Sequence, residues 1–309
     1  MKQEIFWVVC LTAVLVASCK FAFGQEIAYD YDLSKPVGLK DINNKGSLLI
    51  SNIASSSLIP ALMSRKAKYQ PAMISCLGQP LDGTIPRRLL NSEEVIGSCL
   101  RSLQPFPVGK EVGFVRDRKG FYNLIDDPGT TAVLILGGSD LGDSVGFYCG
   151  PVLPTGGVNC NNPFLVRNGV FETMNLPVGY MPNCRNVKRQ TFGVFVDPND
   201  PLQLPKAWML DAGTLTFLQV PGAQWTEPLD CNNDSQVLLN SDIGDFLLDD
   251  GIYFKISSPA TLNGLPANFQ FEGMNDARFG QLVGTWRTVR CNGEFCSTVS
   301  AGGFVATPK

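Results

Sequence analysis

Short stretches of this chain alternate apolar and polar positions with a period of two, and turn residues punctuate them. In Tyr69–Cys76 the residues Ala72, Ile74 and Cys76 fall on one face, as in a half-buried strand. Glu111–Val115 and Gly120–Ile125 read as further strands, and Asp126-Asp127-Pro128-Gly129 supplies turn chemistry between elements. Thr131–Leu136 is a strong β run closed by Gly137-Gly138. Ser47–Met63 suits either a helix or a pair of short strands, interrupted at Pro60. Near the end, Asn292-Gly293 is a hairpin turn signal, and Cys291 and Cys296 flank it closely enough to form a local disulfide. Strands at this spacing predict an all-β fold built as a β-sandwich.

One apolar run has a different character. Ile5–Ala17 follows Met1-Lys2 and is too short for a spanning helix, so it reads as a secretory signal. Cleavage after Gly24 would leave Gln25 first, and a rival site lies after Ser18. Cleavage at Gly24 removes Cys10 and Cys19 from the ten cysteines and leaves an even set suited to disulfides. The expected product is secreted, extracellular and without a membrane anchor.

Composition narrows the chemistry. Charged residues make up 17% of the chain, and the net charge is -3, which argues against a nucleic-acid partner. The chain contains no histidine. That removes Ser-His and Cys-His nucleophile pairs and the commonest general base near neutral pH. Carboxylate pairs remain chemically available. Asp242, Asp245, Asp249 and Asp250 cluster, and Asp197 and Asp200 flank Pro198-Asn199, but none fits a calcium loop, and turn acids explain them. Asn233-Asp234-Ser235 is a glycosylation sequon, which predicts a surface position for Asn233. No cofactor or metal site is expected.

The run Asp143-Ser144-Val145-Gly146-Phe147-Tyr148-Cys149 places an acid six residues, and an aromatic two residues, before a cysteine. Together with Cys76 at the end of its strand, it resembles the immunoglobulin superfamily. The resemblance implies a Cys76–Cys149 bridge between sheets, a corner at Phe147, and an ion pair from Asp143 to Arg116 or Arg118. No tryptophan follows Cys76 at the usual interval, and Phe147 lacks a corner hydroxyl. A looser echo, Asp249 to Lys255, keeps the acid and Tyr253 but replaces the cysteine with Lys255. Cys184 and Lys255 repeat the Cys76 to Cys149 spacing to within two residues, so the pattern suggests a domain duplicated at about a hundred residues.

The expected organisation is therefore tandem immunoglobulin-like sandwiches after a cleaved signal peptide. The signal spans 1–24, a lead segment 25–64, a first domain 65–155, a linker 156–175, a second domain 176–260 and a C-terminal extension 261–309. The implied function is non-catalytic recognition or adhesion toward an unknown extracellular protein or glycan. The alternatives are a structural matrix or coat protein and a histidine-free hydrolase using paired carboxylates. Pairing of Cys99, Cys160, Cys184 and Cys231 stays open.

Overall fold

A computed structural model describes residues 26–309 except 36–37, 52–59, 64–70, 76–83, 102–109, 128, 153–157, 161, 178, 278 and 293–294. The expected signal segment and Cys76 lie outside the described residues. The described residues are all-β, with short strands joined in antiparallel meanders.

β1 (Tyr29–Lys35) precedes a four-stranded sheet of β2 (Gly38–Ile42), β3 (Leu48–Ser51), β4 (Ala61–Met63) and β5 (Pro71–Met73), paired in chain order. The next meander is β6 (Ile85–Leu89), β7 (Val95–Arg101), β8 (Lys110–Arg116) and β9 (Tyr122–Ile125). A third follows as β10 (Ala132–Gly138), β11 (Ser144–Cys149), β12 (Asn162–Arg167) and β13 (Val170–Thr173). The fourth is β14 (Tyr180–Arg185), β15 (Thr191–Val196), β16 (Pro205–Asp211) and β17 (Thr214–Leu218). The fifth is β18 (Thr226–Cys231), β19 (Val237–Ser241), β20 (Gly244–Asp249) and β21 (Ile252–Lys255). After β22 (Thr261–Leu262), the strands β23 (Leu265–Met274), β24 (Leu282–Asn292) and β25 (Phe295–Pro308) form a last sheet, which β1 completes.

The first strand of each meander touches the first strand of the next: β2, β6, β10, β14, β18, β23 and back to β2. Six four-stranded units thus stand around one axis with their first strands innermost. The fold is a six-bladed β-propeller. Its ring closes where β1, from the N-terminal side, pairs antiparallel with β25, from Tyr29 opposite Pro308 to Lys35 opposite Gly303.

The apolar core is divided into wedges between blades. Leu49, Leu62 and Ile74 of the first blade pack on Leu89, Val95, Val112 and Phe114 of the second. Leu90 and Ile96 meet Val133, Ile135, Phe164 and Val166 of the third. Phe192 and Ala207 of the fourth meet Val237, Leu239, Phe246 and Leu248 of the fifth. Leu238 and Leu247 meet Phe269, Phe271 and Phe304 of the last. Each sheet therefore buries apolar side chains against its neighbours.

The expected tandem sandwiches are replaced by this ring. The described strands pair with their sequence neighbours in four-stranded blades, and among the described residues no disulfide staples two facing sheets of one domain. Cys149 is bonded to Cys160, eleven residues on, and so not to Cys76. The bridge closes the connection from β11 to β12. Cys184–Cys231 joins the innermost strands of the fourth and fifth blades, and Cys291–Cys296 staples the β24–β25 hairpin. These bonds suit an oxidising compartment. The duplication at about a hundred residues is likewise corrected. The real repeat is one blade, and the two matched Ser-Asp-x-Gly-Asp runs, Ser139–Asp143 and Ser241–Asp245, occupy non-equivalent turns, the first after an innermost strand and the second between β19 and β20.

Close approach of neighbouring blades sets glycine requirements. A Cβ on Gly137 would stand 2.2 Å from the Asn183 carbonyl of the next blade. Gly213, by contrast, has φ +86° with open space around it, a conformation asparagine tolerates. Gly137→Ala should lower stability by about 1–3 kcal/mol in urea denaturation while Gly213→Asn stays within about 1 kcal/mol; equal effects would contradict the close blade contact.

Candidate functional site

Every innermost strand carries a β-bulge at the same height. The register slips between Leu39 and Asp41, Pro86 and Arg88, Ile135 and Gly137, Pro182 and Cys184, Pro228 and Asp230, and Phe271 and Gly273. A bulge leaves one residue out of the ladder and re-aims its side chain. The six bulged residues are Lys40, Arg87, Leu136, Asn183, Leu229 and Glu272, and all six line one axial cavity of about 310 Å³. Glu227 and Gln270 line it further from the turns that follow these strands.

The next residue of each strand lies one step deeper, and there three charges interlock. Arg88 reaches across the channel from the second blade to the fifth, where it pairs with Asp230 and donates from Nη2 to the Cys231 carbonyl at 3.0 Å. Asp41 of the first blade lies 3.6 Å from Arg88 Nη1. Asp41 also accepts from the Leu89 amide at 2.6 Å, tying the first blade to the second. Asp230 accepts from the Met274 amide at 2.8 Å, tying the fifth to the last. Both carboxylates are buried. Burial pushes the Asp41 carboxyl up to about 7, with Arg88 opposing and Asp230 reinforcing the rise. Burial raises Asp230 too, partly offset by Arg88. For Arg88, burial works against the cation, but Asp230 and Asp41 outweigh it and the charge is held firmly.

Below this strut the turns that follow the innermost strands meet around the axis. The second residue of each turn is Asn44, Asn91, Asp140, Val187, Asn233 or Asp276. The Asn44 amide donates to Asn91 Oδ1 at 2.8 Å, and the Asn91 amide to Asp140 Oδ1 at 2.7 Å. The Val187 amide donates to Asn233 Oδ1 at 3.1 Å, and the Asn233 amide to Asp276 Oδ1 at 2.7 Å. The Asp276 amide returns to Asn44 Oδ1 at 2.7 Å. The relay breaks where the side-chain acceptor would be Val187, which has none. Inside it, Asn233 Nδ2 donates to Asp140 Oδ2 at 2.8 Å and to Asp276 Oδ2 at 2.9 Å, and Asn91 Nδ2 also bonds both carboxylates. The channel is thus floored by polar side chains, and its chemistry lies on the other side of the Arg88 strut.

On that side the charges divide. Lys40 pairs with Glu272. Glu227 makes no hydrogen bond or ion pair among the described residues, and burial holds its carboxyl above the usual range. Arg87 also lacks an ion-pair partner, and its buried Nε has no acceptor. Among the described residues no three His, Cys, Asp or Glu side chains converge as metal donors.

Of the residues that sequence reasoning singled out, Asn233 reaches the axis as part of the floor, and Cys184, whose pairing was left open, lines the cavity as half of an inter-blade disulfide. A glycan on Asn233 Nδ2 would displace the bonds to Asp140 and Asp276. Asp143 is buried and pairs with Arg185 Nε at 2.9 Å, with Arg167 Nε at 3.9 Å, instead of Arg116 or Arg118. Arg185 belongs to the next blade, so this pair is an inter-blade clamp. Phe147 lies opposite Leu134 and Pro163 within its own sheet. Asp249 and Tyr253 sit on β20 and β21, at the outer side of the fifth blade. Cys291 and Cys296 cap a hairpin. The axial residues Asp41, Arg87, Arg88, Glu227, Asp230 and Glu272 were missed. A readable signal existed: Lys40-Asp41, Arg87-Arg88 and Leu229-Asp230 each stand just before an equivalent turn.

No family model matches this chain, and no curated protein does. Among solved structures it is similar to a gluconolactonase from Xanthomonas campestris, at 10% identity and TM-score 0.51, over 91% of this chain and 90% of that one. An acylaminoacyl peptidase from Pyrococcus horikoshii aligns at 10% identity and TM-score 0.48, over 82% of this chain and 42% of that one. The β-propeller domain of the Trilobed protease from Pyrococcus furiosus aligns at 8% identity and TM-score 0.45, over 86% and 96%. The first likeness agrees with the observed ring and overturns the immunoglobulin resemblance. The non-catalytic adhesion reading rested on that immunoglobulin scaffold and falls with it.

The Asp41–Arg88–Asp230 strut has a measurable pH signature. The folded-state pKa of Asp41 lies well above the ordinary aspartate value, so its stabilising proton is lost as pH rises toward about 7. Without Arg88, both carboxyls are freed from an opposing cation and rise further. Arg88→Met should therefore cost about 3–5 kcal/mol at pH 8 and clearly less at pH 5, measured by urea denaturation. An equal cost at both pH values would show that the two carboxylates do not depend on Arg88.

Proposed function

We propose that this protein is a secreted hydrolase of small esters or lactones, with the axial cavity as its active site and Glu227 as its acid–base group. Glu227 carries the reading: a desolvated, unpartnered carboxyl on the wall of a cavity, held above the ordinary range by burial. Such a group accepts and returns protons nearer neutral pH than an exposed glutamate, which is what a histidine-free chain needs. The cavity is at the small end of the roughly 300–1,000 Å³ typical of ligand sites, which suits a monosaccharide-sized substrate.

The chemistry is self-contained. Ionised Glu227 takes a proton from a water molecule as the water oxygen bonds to the acyl carbon. The resulting tetrahedral intermediate collapses with cleavage of the acyl–oxygen bond. The departing oxygen takes the proton back from Glu227, leaving a hydroxy acid and a regenerated carboxylate. The Arg88 strut and the axial turns close the opposite end, so water and substrate approach from the Glu227 side. A cyclic ester of a sugar acid is the preferred substrate class, supported by the cavity's size and by the named activity of the structure matched end to end. Secretion is supported by the disulfides and by the apolar Ile5–Ala17 run.

D-glucono-1,5-lactone opening followed in a weakly buffered indicator assay tests this reading. The wild-type protein should raise the rate above buffer, and kcat/KM should climb with pH through an apparent pKa above the usual value of about 4.3 for glutamate. Glu227→Gln should lower kcat by about 10²-fold or more and abolish that limb. A wild-type protein inert toward lactones and simple esters, or a Glu227→Gln variant with unchanged kcat, would overturn it.

A further inference from the structure

We infer that the axial cavity selects ligands carrying a carboxylate, which seats against Arg87. The inference rests on the cavity being the binding site proposed above, but its support is separate from the role of Glu227.

The wall bears three cations, and two already face an opposite charge at ion-pair distance. Lys40 is paired with Glu272, and Arg88 with Asp230 and Asp41. Arg87 has no hydrogen bond or ion pair among the described residues, and its Nε is buried without an acceptor. Burial works against its charge, and Glu111 and Glu272 offset this only in part and from beyond ion-pair distance. An arginine in a protein does not shed its proton, so the charge persists with its buried Nε donor unmet. The bulge of β6 sets this residue on the cavity wall. A fixed, poorly solvated guanidinium on a cavity wall is matched by a planar oxyanion, which it can grip with two parallel hydrogen bonds.

The neighbouring wall agrees with a ligand that is anionic at one end and polar but uncharged elsewhere. Asn183 and Gln270 offer amide groups, Leu136 and Leu229 offer apolar surface, and burial holds the Glu227 carboxyl above its usual range, which weakens its opposition to an anion. An aldonic acid has that character. In a lactone-opening enzyme the newly formed carboxylate would be held at Arg87, so the acid product should compete with substrate.

Gluconate and glucitol are a suitable probe pair, because they differ only in a carboxylate against a hydroxymethyl group. Isothermal titration of the full chain at pH 6 should show gluconate binding about ten- to a hundredfold more tightly than glucitol, the range expected of a charge-assisted pair. Arg87→Met should erase that preference, and Arg87→Lys should keep part of it. Glu227→Gln should keep at least that preference while losing turnover. The wild-type comparison stands even if an Arg87 variant fails to fold. Equal binding of the two probes by the wild type, or an undiminished preference in folded Arg87→Met, overturns the inference. Lactone opening without gluconate preference removes the carboxylate site and leaves the hydrolase reading; gluconate preference without lactone or ester turnover does the reverse.

Discussion

The pairing of β1 with β25 is the contact on which the rest depends. Blades are wedges, and each buries its apolar faces only if a neighbour stands on both sides. An open ring would leave the Val283 and Val305 face of the last blade and the Leu39, Ile42 and Leu48 face of the first without their partners. Tyr29–Lys35 completes the last sheet by main-chain hydrogen bonds to residues 303–308. Tyr31 adds edge contacts to Phe269 and Phe304 and donates its hydroxyl to the Ser257 carbonyl at 2.6 Å. The two ends of the described chain therefore share one blade. The closure brings residues distant in sequence, such as Asp41 and Gly273, to within contact across the first and last blades.

Once the ring is closed, its symmetry is spent unevenly. Six bulges place six side chains at one height, but the sequence fills those places with two cations, one anion, two leucines and an amide. One step deeper the positions are Asp41, Arg88, Gly137, Cys184, Asp230 and Gly273. Here the glycines make room for neighbouring backbone, the cysteine crosslinks two blades, and the three charges join opposite walls. A buried carboxylate alone would be costly. Two sharing one arginine, each with two main-chain amide donors, form a satisfied network.

The strands were legible in the sequence, and the ring was not. The apolar β run Thr131–Leu136 marked β10, and the Asp143–Cys149 run marked β11. The blade repeat was hidden by the residues that mark it. Asn43, Asn186, Asn232 and Asn275 open equivalent turns, but Leu90 and Ser139 open the other two. The left-handed residue of each turn is glycine at Gly46 and Gly142, yet Glu93, Arg189 and Ser235 adopt the same positive φ. Main-chain hydrogen bonding holds these turns without a fixed side chain, so no sequence signature is required. The Asp143 to Cys149 run misled for a related reason. Its acid clamps Arg185 of the next blade and its cysteine closes a local loop, two unrelated constraints that happen to fall at immunoglobulin spacing.

Much of the axial charge is structural, and this decides where chemistry can occur. Asp41, Asp230 and Arg88 look like a catalytic cluster by composition, but the two carboxylates and the Arg88 Nη groups are committed to each other and to the Ile42, Leu89, Cys231 and Met274 main chain, and only the buried Arg88 Nε lacks an acceptor. A group that must release its partners before it can bind a substrate is poorly suited to acid–base work. Glu272 is held by Lys40. What remains is a carboxyl and a guanidinium, Glu227 and Arg87, on opposing sides of the ring in the fifth and second blades. Both are desolvated without a partner, a state that costs stability unless something else recovers it. In a fold that gives its other axial charges an opposite charge, two left without one on a single cavity mark the place where a ligand supplies the missing partners.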